Sequence, residues 1–455
     1  MGLELFDSKE QRLREFVPLT PGHVEMYVCG PTVQSEPHLG HLRSALVYDV
    51  LRRWLVASGF TVTVVRNVTD IDDKVLVNAK DRDWLEFARE VEQSFISSYK
   101  NLGILEPTYK PYATEHIQDM INLTQKLIDL GHAYVAKDAS ANVFFDTSSW
   151  PSYGELTNQK LENMEGETDS TFGRRSPNDF ALFKAHKSEE PESAGWDTPW
   201  GKARPGWHIE CSAMAKHFLG ESFDIHGGGL DLRFPHHENE LAQSKAAGDR
   251  FASFWLHNAL ITVSGNKMSK SLGNGVSVAD ALAQGSWPAL RYWLLSAHYR
   301  SNLDYTSDSL TEAKAALDRI IGFIKRANLD VKVNLADLPA EFKLAMNSDM
   351  NVPQALAVIH EQVRVGNQAI DAGADCSDQV RAVQAMLHVL GFDFALAEKE
   401  IEPEFRKQVE ALIEKRNEAK LAKDFALADS IRAELEKLGV TLKDMPDTTI
   451  WSIDG

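Results

Sequence analysis

Polar and apolar positions change rhythm several times along the chain. Val24–Cys29 is a short, almost unbroken run of β-forming residues, ended by the turn signal Gly30-Pro31. Leu42–Ala57 then sets Leu42, Leu46, Tyr48, Val50, Leu51 and Leu55 at helical spacing, and Gly59 stops it. Thr61–Val65 predicts a second strand. Strand, glycine turn, helix, strand is the opening of a Rossmann-like nucleotide-binding α/β unit. From about residue 110 to 200 the rhythm is lost. Ile117–Leu130 predicts a helix, and polar, loop-rich segments over Glu155–Asp179 and Lys187–Asp197 follow it. Such a stretch is expected as an insertion between two halves of one core. That core resumes near Pro205, with Phe223–His226 as a strand. Beyond about Asp304 the chain is expected to be almost wholly helical, with apolar spacing over Leu310–Arg326, Ala340–Met346 and Pro353–Ile370. Two last helices, Phe405–Leu421 and Phe425–Leu438, the second stopped by Gly439, predict a separate final unit. The expected division is 1–305, 306–400 and 401–455.

Length agrees with this: 455 residues make roughly three units at about 150 residues each. A hydrophobic fraction of 43% and a charged fraction of 25% are ordinary for a globular chain. No stretch approaches the roughly 18 apolar residues of a spanning helix, so no membrane partner is expected. Met1–Pro18 is charged and has no apolar h-region, so no signal peptide is expected. The three cysteines, Cys29, Cys211 and Cys376, are no disulfide framework and point to a reduced, cytoplasmic setting. The net charge of −18 argues against a protein that coats nucleic acid nonspecifically. It leaves room for a structured RNA partner, since basic residues gather over Arg406–Lys423 and around Lys267–Lys270.

Two segments carry phosphate chemistry. His38-Leu39-Gly40-His41 lies between the first predicted strand and helix, where backbone N–H groups and the helix dipole favour anions. Gly40 lets a flat ligand approach the backbone. Lys267-Met268-Ser269-Lys270-Ser271 is a glycine- and serine-flanked cationic loop able to close on a triphosphate. Alone, each is as easily an ordinary loop. Together, far apart in the chain, they suit two halves of one nucleotide site.

With both signatures in this order the chain resembles class I aminoacyl-tRNA synthetases. MYVCGPT at Met26–Thr32, RNVTDIDDK at Arg66–Lys74, PGWHIECSAM at Pro205–Met214 and ESFDIHGGGLDLRFPHHENE at Glu221–Glu240 narrow the resemblance to cysteinyl-tRNA synthetases. It covers essentially the whole chain and is looser after about Asp304. It implies a Rossmann-like class I catalytic core with an insertion, then a helical bundle and a small C-terminal anticodon-binding domain. The implied partners are L-cysteine, ATP with Mg2+, and tRNA(Cys), acted on by a monomer.

A metal constellation belongs to the same picture. His236 and Glu240 stand at i and i+4, about 5–6 Å apart at Cβ, a spacing that suits one zinc ion. Pattern alone separates neither His236 from His237 nor links Cys29 to Cys211. The resemblance implies Cys29, Cys211, His236 and Glu240 as the ligands of one Zn2+ per chain. Zinc would tell cysteine from serine, because a soft thiolate ligates it well and a hydroxyl does not. A hydrophobic pocket alone separates such pairs poorly.

The remaining roles are implied or tentative. His38, His41, Lys267 and Lys270 would stabilise phosphate charge, with Gly40 also at the ATP site. Gly227, Gly228 and Gly229, placed after a strand, would meet the adenosine, and Asp231 the ribose. Cys29, Thr69 and Trp207 would touch the amino acid, and Asp70–Asp73 would fix backbone there. Phe425 would stack on an anticodon base, with Asp429 and Asp444 accepting from base edges. The family often shows arginine at Lys420 and tryptophan at Phe425, so those two positions depart from it. Cys376 is expected to be an ordinary loop thiol. One rival is the cysteine ligase of mycothiol synthesis, suggested by the unusual block PTVQSEPHLGHLR at Pro31–Arg43. Glu240 and the C-terminal arm oppose it. A second rival, a synthetase-like RNA-binding protein, is opposed by the intact ATP and metal motifs.

Overall fold

The computed structural model describes residues 2–138, 140–160, 162, 164, 173–267, 276–393, 403–422, 424–438, 440–444 and 449–453. Contacts divide the chain into two units, Met1–Asp393 and Phe394–Gly455.

The first unit opens with a hairpin that the sequence pattern did not reveal, β1 (Glu4–Asp7) antiparallel to β2 (Arg12–Glu15). The expected strand–helix–strand follows as β3 (His23–Val28), α1 (Leu39–Ala57) and β4 (Thr61–Arg66). Helix α1 starts three residues before the predicted Leu42, so Leu39-Gly40-His41 form its first turn. Nothing in that tripeptide breaks a helix. The His38 N–H donates to His41 Nδ1 at 3.2 Å, which satisfies a group the helix start leaves unpaired. Helices α2 (Asp73–Ala79), α3 (Trp84–Asn101) and α4 (Ile117–Asp129) lead to the insertion.

The insertion is not merely loop. It holds a five-stranded antiparallel sheet of β5 (Ala133–Val135), β6 (Val143–Phe145), β7 (Phe180–Ala185), β8 (Trp196–Thr198) and β9 (Gly201–Pro205), in the order β5-β6-β7-β9-β8. Three of these strands have three residues each, too short to show alternation. Phe144, Phe145, Phe180 and Phe183 are buried there.

After it come α5 (Trp207–Leu219), β10 (Ser222–Gly229), a π turn at Arg233–His237, α6 (Glu238–Ala246) and β11 (Phe251–Asn258). Strands β11, β10, β3 and β4 form one parallel sheet in that order. Covered on both faces, parallel strands read as nearly continuous apolar runs, as Val24–Val28 does apart from Glu25. A smaller sheet, β12 (Ile261–Val263), β13 (Asn266–Lys267) and β14 (Leu303–Tyr305), flanks α7 (Val278–Leu282) and α8 (Trp287–Leu295) in the chain. Arg291 of α8 is buried and pairs with Asp49 of α1 at 2.8 Å.

The predicted helices appear as α9 (Ser309–Ala327), α10 (Ala340–Asn347) and α11 (Val352–Asp371). They bury Leu317, Ile320, Phe323, Phe342, Met346 and Ile359. A further helix, α12 (Ser377–Val389), follows, and Cys376 ends the loop before it as the helix's N-terminal flank, buried. The second unit has the two expected helices, Pro403–Leu421 and Phe425–Lys437, packed through Val409, Ile413, Ile431 and Leu435. It is not wholly helical: Val440–Asp444 pairs antiparallel with Thr449–Ile453. Gly439 lies outside the described residues.

Candidate functional site

The chain leaves β3 for β4 on one side and β10 for β11 on the other. The crevice beyond the C-terminal ends of β3 and β10 is therefore a topological switch point, where open α/β sheets bind ligands. A cavity of about 390 Å³ opens there, lined by Cys29, His38, Gly40, His41, Trp207, Gly229 and Asp231 among others. Gly30 is required beside Cys29, since a Cβ would fall 1.6 Å from the Asn67 carbonyl oxygen.

On one wall the His38 and His41 rings stack, centroids 3.7 Å apart. They stand at the N-terminus of α1, whose dipole and unpaired N–H groups favour an anion. Arg66 and Lys74 also line this cavity. The sequence reading missed both, although they bracket the RNVTDIDDK block. Lys267 joins β13, whose backbone pairs with Thr262. Lys270 lies outside the described residues.

The glycine triplet needs correction. Gly227, Gly228 and Gly229 end β10 rather than follow it. A Cβ on Gly227 would lie 2.2 Å from the Tyr48 ring, and one on Gly228 2.8 Å from the His237 ring. Those two glycines make room for the protein's own rings, and of the triplet Gly229 alone lines the cavity. The Tyr48 hydroxyl accepts the Gly228 N–H at 2.6 Å and donates to the Leu256 carbonyl at 2.8 Å. It thus ties α1 to β10 and to the edge strand β11.

On the opposite wall, Cys29 is one of a cluster with Cys211, His236 and Glu240, whose ligand atoms all lie within 4.8 Å of one another. Cys29 Sγ is 3.8 Å from Cys211 Sγ and 3.5 Å from Glu240 Oε1. At zinc bond lengths of about 2.3 Å to sulfur and 2.0 Å to oxygen, a tetrahedron has edges of about 3.8 and 3.5 Å for these pairs. His236 Nε2 lies 3.0 Å from Glu240 Oε1, near the expected edge of about 3.3 Å. The i,i+4 pair therefore does share a face, although His236 belongs to the π turn ahead of α6. Cys29, His226, His237 and Glu240 form an overlapping group. It has one sulfur, and its His226 Nε2–Glu240 Oε2 distance of 2.8 Å falls further short of the expected edge of about 3.3 Å.

Electrostatics favour a cation in this cluster. Glu240 is fully buried beside two sulfurs. Burial, then each other and Glu240, hold the Cys29 thiol well above its ordinary range, and burial raises Cys211 too. Burial lowers His236 well below the usual histidine range, with His208 and His226 adding to it, so it stays neutral and able to ligate. Trp207 stacks on the His236 ring at 4.1 Å, between the cavity and the cluster. Thr69 is 1% exposed and does not line the cavity, and its hydroxyl donates to Glu210 at 2.7 Å. Asp70 accepts from Thr114, Asp72 caps α2, and Asp73 pairs with Lys184 at 2.9 Å, all contacts that fix chain.

In the second unit Phe425 is exposed and Asp429 lies one helical turn on, also exposed. Asp444 ends a strand, its backbone opposite Thr449.

Sheet, switch point and paired histidines together define the class, a class I aminoacyl-tRNA synthetase core. Residues 15–315 match the family model for tRNA synthetases class I (C) catalytic domain, residues 341–395 the DALR domain, and residues 402–451 the cysteinyl-tRNA ligase anticodon binding domain. The methionyl-tRNA synthetase of Mycobacterium tuberculosis bound by methionyl-adenylate has the same fold, with TM-score 0.58 and 14% identity over 80% of this chain and 88% of that one. The cysteine–tRNA ligase of Clavibacter michiganensis subsp. michiganensis is 52% identical over 100% of both chains. That of Leifsonia xyli subsp. xyli is 50% identical, again over 100% of both. The chain belongs to the cysteine–tRNA ligase family.

Proposed function

We propose that this chain activates L-cysteine with ATP to cysteinyl-adenylate and transfers the cysteinyl group to the 3′ end of tRNA(Cys). The observation that carries this is the single cavity running from the stacked His38 and His41 to Cys29 of the thiol-rich cluster. Cys29, Cys211, His236 and Glu240 would hold one Zn2+, which supplies a preference for a thiolate over a hydroxyl. The tetrahedral edge lengths and both sulfurs support this set over the one with His226 and His237.

The protein's own groups support the set from outside. His226 donates to Glu240 Oε2. His236 Nδ1 lies 3.0 Å from His208 Nδ1, so with Nε2 turned to a metal it can donate there and fix its ring. Trp207 would wall the amino-acid end. His38, His41 and the α1 N-terminus would meet phosphate oxygens of ATP, taken with Mg2+, and Lys267 and Lys270 would add positive charge. Gly229 and Asp231 suit the adenosine side. Attack of a carboxylate on the α-phosphorus needs chiefly alignment and charge neutralisation, which these groups provide. Phe425, Asp429 and Asp444 would read the anticodon. Three free thiols support a reducing, cytoplasmic setting, and we take the enzyme as a monomer.

ATP–pyrophosphate exchange with cysteine, serine and alanine tests the site. A purely apolar pocket discriminates such pairs by only about 10²-fold, so cysteine should be preferred by more than that. Equal exchange with serine would overturn the proposed selection.

A further inference from the structure

Away from the cavity, three metal-ligating side chains converge on the face shared by α4 and α5. His116 Nδ1 lies 2.9 Å from Asp119 Oδ2, and His217 Nδ1 lies 3.0 Å from the same oxygen. All three ligand atoms fall within 4.8 Å of one another. Two imidazole nitrogens aimed at one carboxylate oxygen from two different helix ends is an unusual use of three ionisable groups. Around an ion about 2.1 Å from each ligand atom, adjacent octahedral positions are about 3.0 Å apart, which the two N···O distances match.

The surroundings suit an open site. His116 is mostly covered, at 11% side-chain exposure, whereas Asp119 and His217 are 36% and 47% exposed. The His116 ring is steadied edge-on by Phe218, centroids 5.3 Å apart. Lys216, next in chain to His217, is held by Asp249 at 2.6 Å. A cleft of about 220 Å³ runs along Asp119 and His217, leaving room for water or a further ligand on the ion.

We propose that His116, Asp119 and His217 form a second metal site, a two-histidine, one-carboxylate face that takes a divalent transition ion such as Zn2+, Co2+ or Ni2+. Imidazole ligands select these ions over Ca2+ and Mg2+, which require oxygen shells. The ion clasps the start of α4, at the entry to the insertion, to the last turn of α5. Helix α5 carries Cys211 and Trp207, so the clasp anchors the far end of the helix that serves the catalytic cavity.

Cobalt titration of the tag-free, metal-stripped full chain, followed by absorption, separates the two sites. Co2+ on Cys29 and Cys211 gives near-ultraviolet thiolate charge-transfer bands, and Co2+ on the proposed face gives visible ligand-field bands alone. Two equivalents should bind. His217→Ala and Asp119→Asn, both at exposed positions, should each weaken the sulfur-free equivalent by at least about tenfold. The thiolate bands and cysteine-dependent exchange should stay unchanged. Binding of one equivalent in the parent, or a second equivalent that persists undiminished in both variants, would overturn the proposal.

Discussion

Replacing Cys211 by serine isolates the sulfur chemistry of the catalytic cluster. Cys211 is buried, and its Sγ lies 3.8 Å from both Cys29 Sγ and Asn67 Oδ1. A serine hydroxyl occupies nearly the same volume and can donate to Asn67 Oδ1, so the fold should survive. What is lost is one thiolate of four ligands. Zinc sites of this kind bind with roughly 10–16 kcal/mol in all, or about 2.5–4 kcal/mol per ligand. At 1.4 kcal/mol per decade, Cys211→Ser should weaken zinc by about 10²- to 10³-fold. The assay is competition with a chromophoric chelator, beside a thermal melt that checks folding. Cysteine-dependent exchange should fall with zinc content, and excess zinc should restore part of it. A folded variant that holds zinc as tightly as the parent would refute the assignment of Cys211. A metal-free parent with full activity would refute the site altogether.

Three further outcomes are expected. Burial holds the Cys29 and Cys211 thiols protonated at neutral pH when no ion is bound, so zinc uptake should release about two protons, and apparent affinity should rise with pH at a slope near two. A pH-independent affinity between pH 6 and 8 would contradict thiolate ligation. Lys270→Ala should slow adenylate formation in pre-steady-state kinetics by far more than it weakens cysteine binding, since the loop's charge matters most in the transition state. Equal damage to cysteine affinity with little change in rate would count against that role. Removing residues after Lys399 should leave exchange nearly intact and sharply weaken tRNA charging, with the full enzyme also losing charging efficiency as salt rises. Undiminished charging by a stably folded truncation would refute a tRNA-reading role for that arm.

The sequence made the parallel core legible because its strands and helices carry long, regular signals. Val24, Met26, Tyr27 and Val28 are buried, and α1 repeats its apolar positions over five turns. The insertion sheet was illegible because strands of three residues cannot show a period, and their register depends on partners distant in the chain. The terminal pairing of Val440–Asp444 with Thr449–Ile453, within a stretch expected to be helical, was not foreseen either. Site residues named by distinctive chemistry, such as Cys29 and His41, reach the cavity. Others are placed by contacts that no local pattern shows: Gly227 and Gly228 pack protein rings, and Thr69 hydrogen-bonds Glu210. Buried supporting groups such as His226 and His208 had no local signature, since their meaning comes from contacts across the fold.

The central claim is that the adenylate made in this cavity is passed to RNA. It is tested most directly by supplying one preparation with ATP and cysteine, and offering it tRNA(Cys) and an amino-sugar acceptor in parallel. Rapid formation of cysteinyl-tRNA and no ligation to the sugar are expected. Ligation to the sugar without charging of tRNA would contradict it.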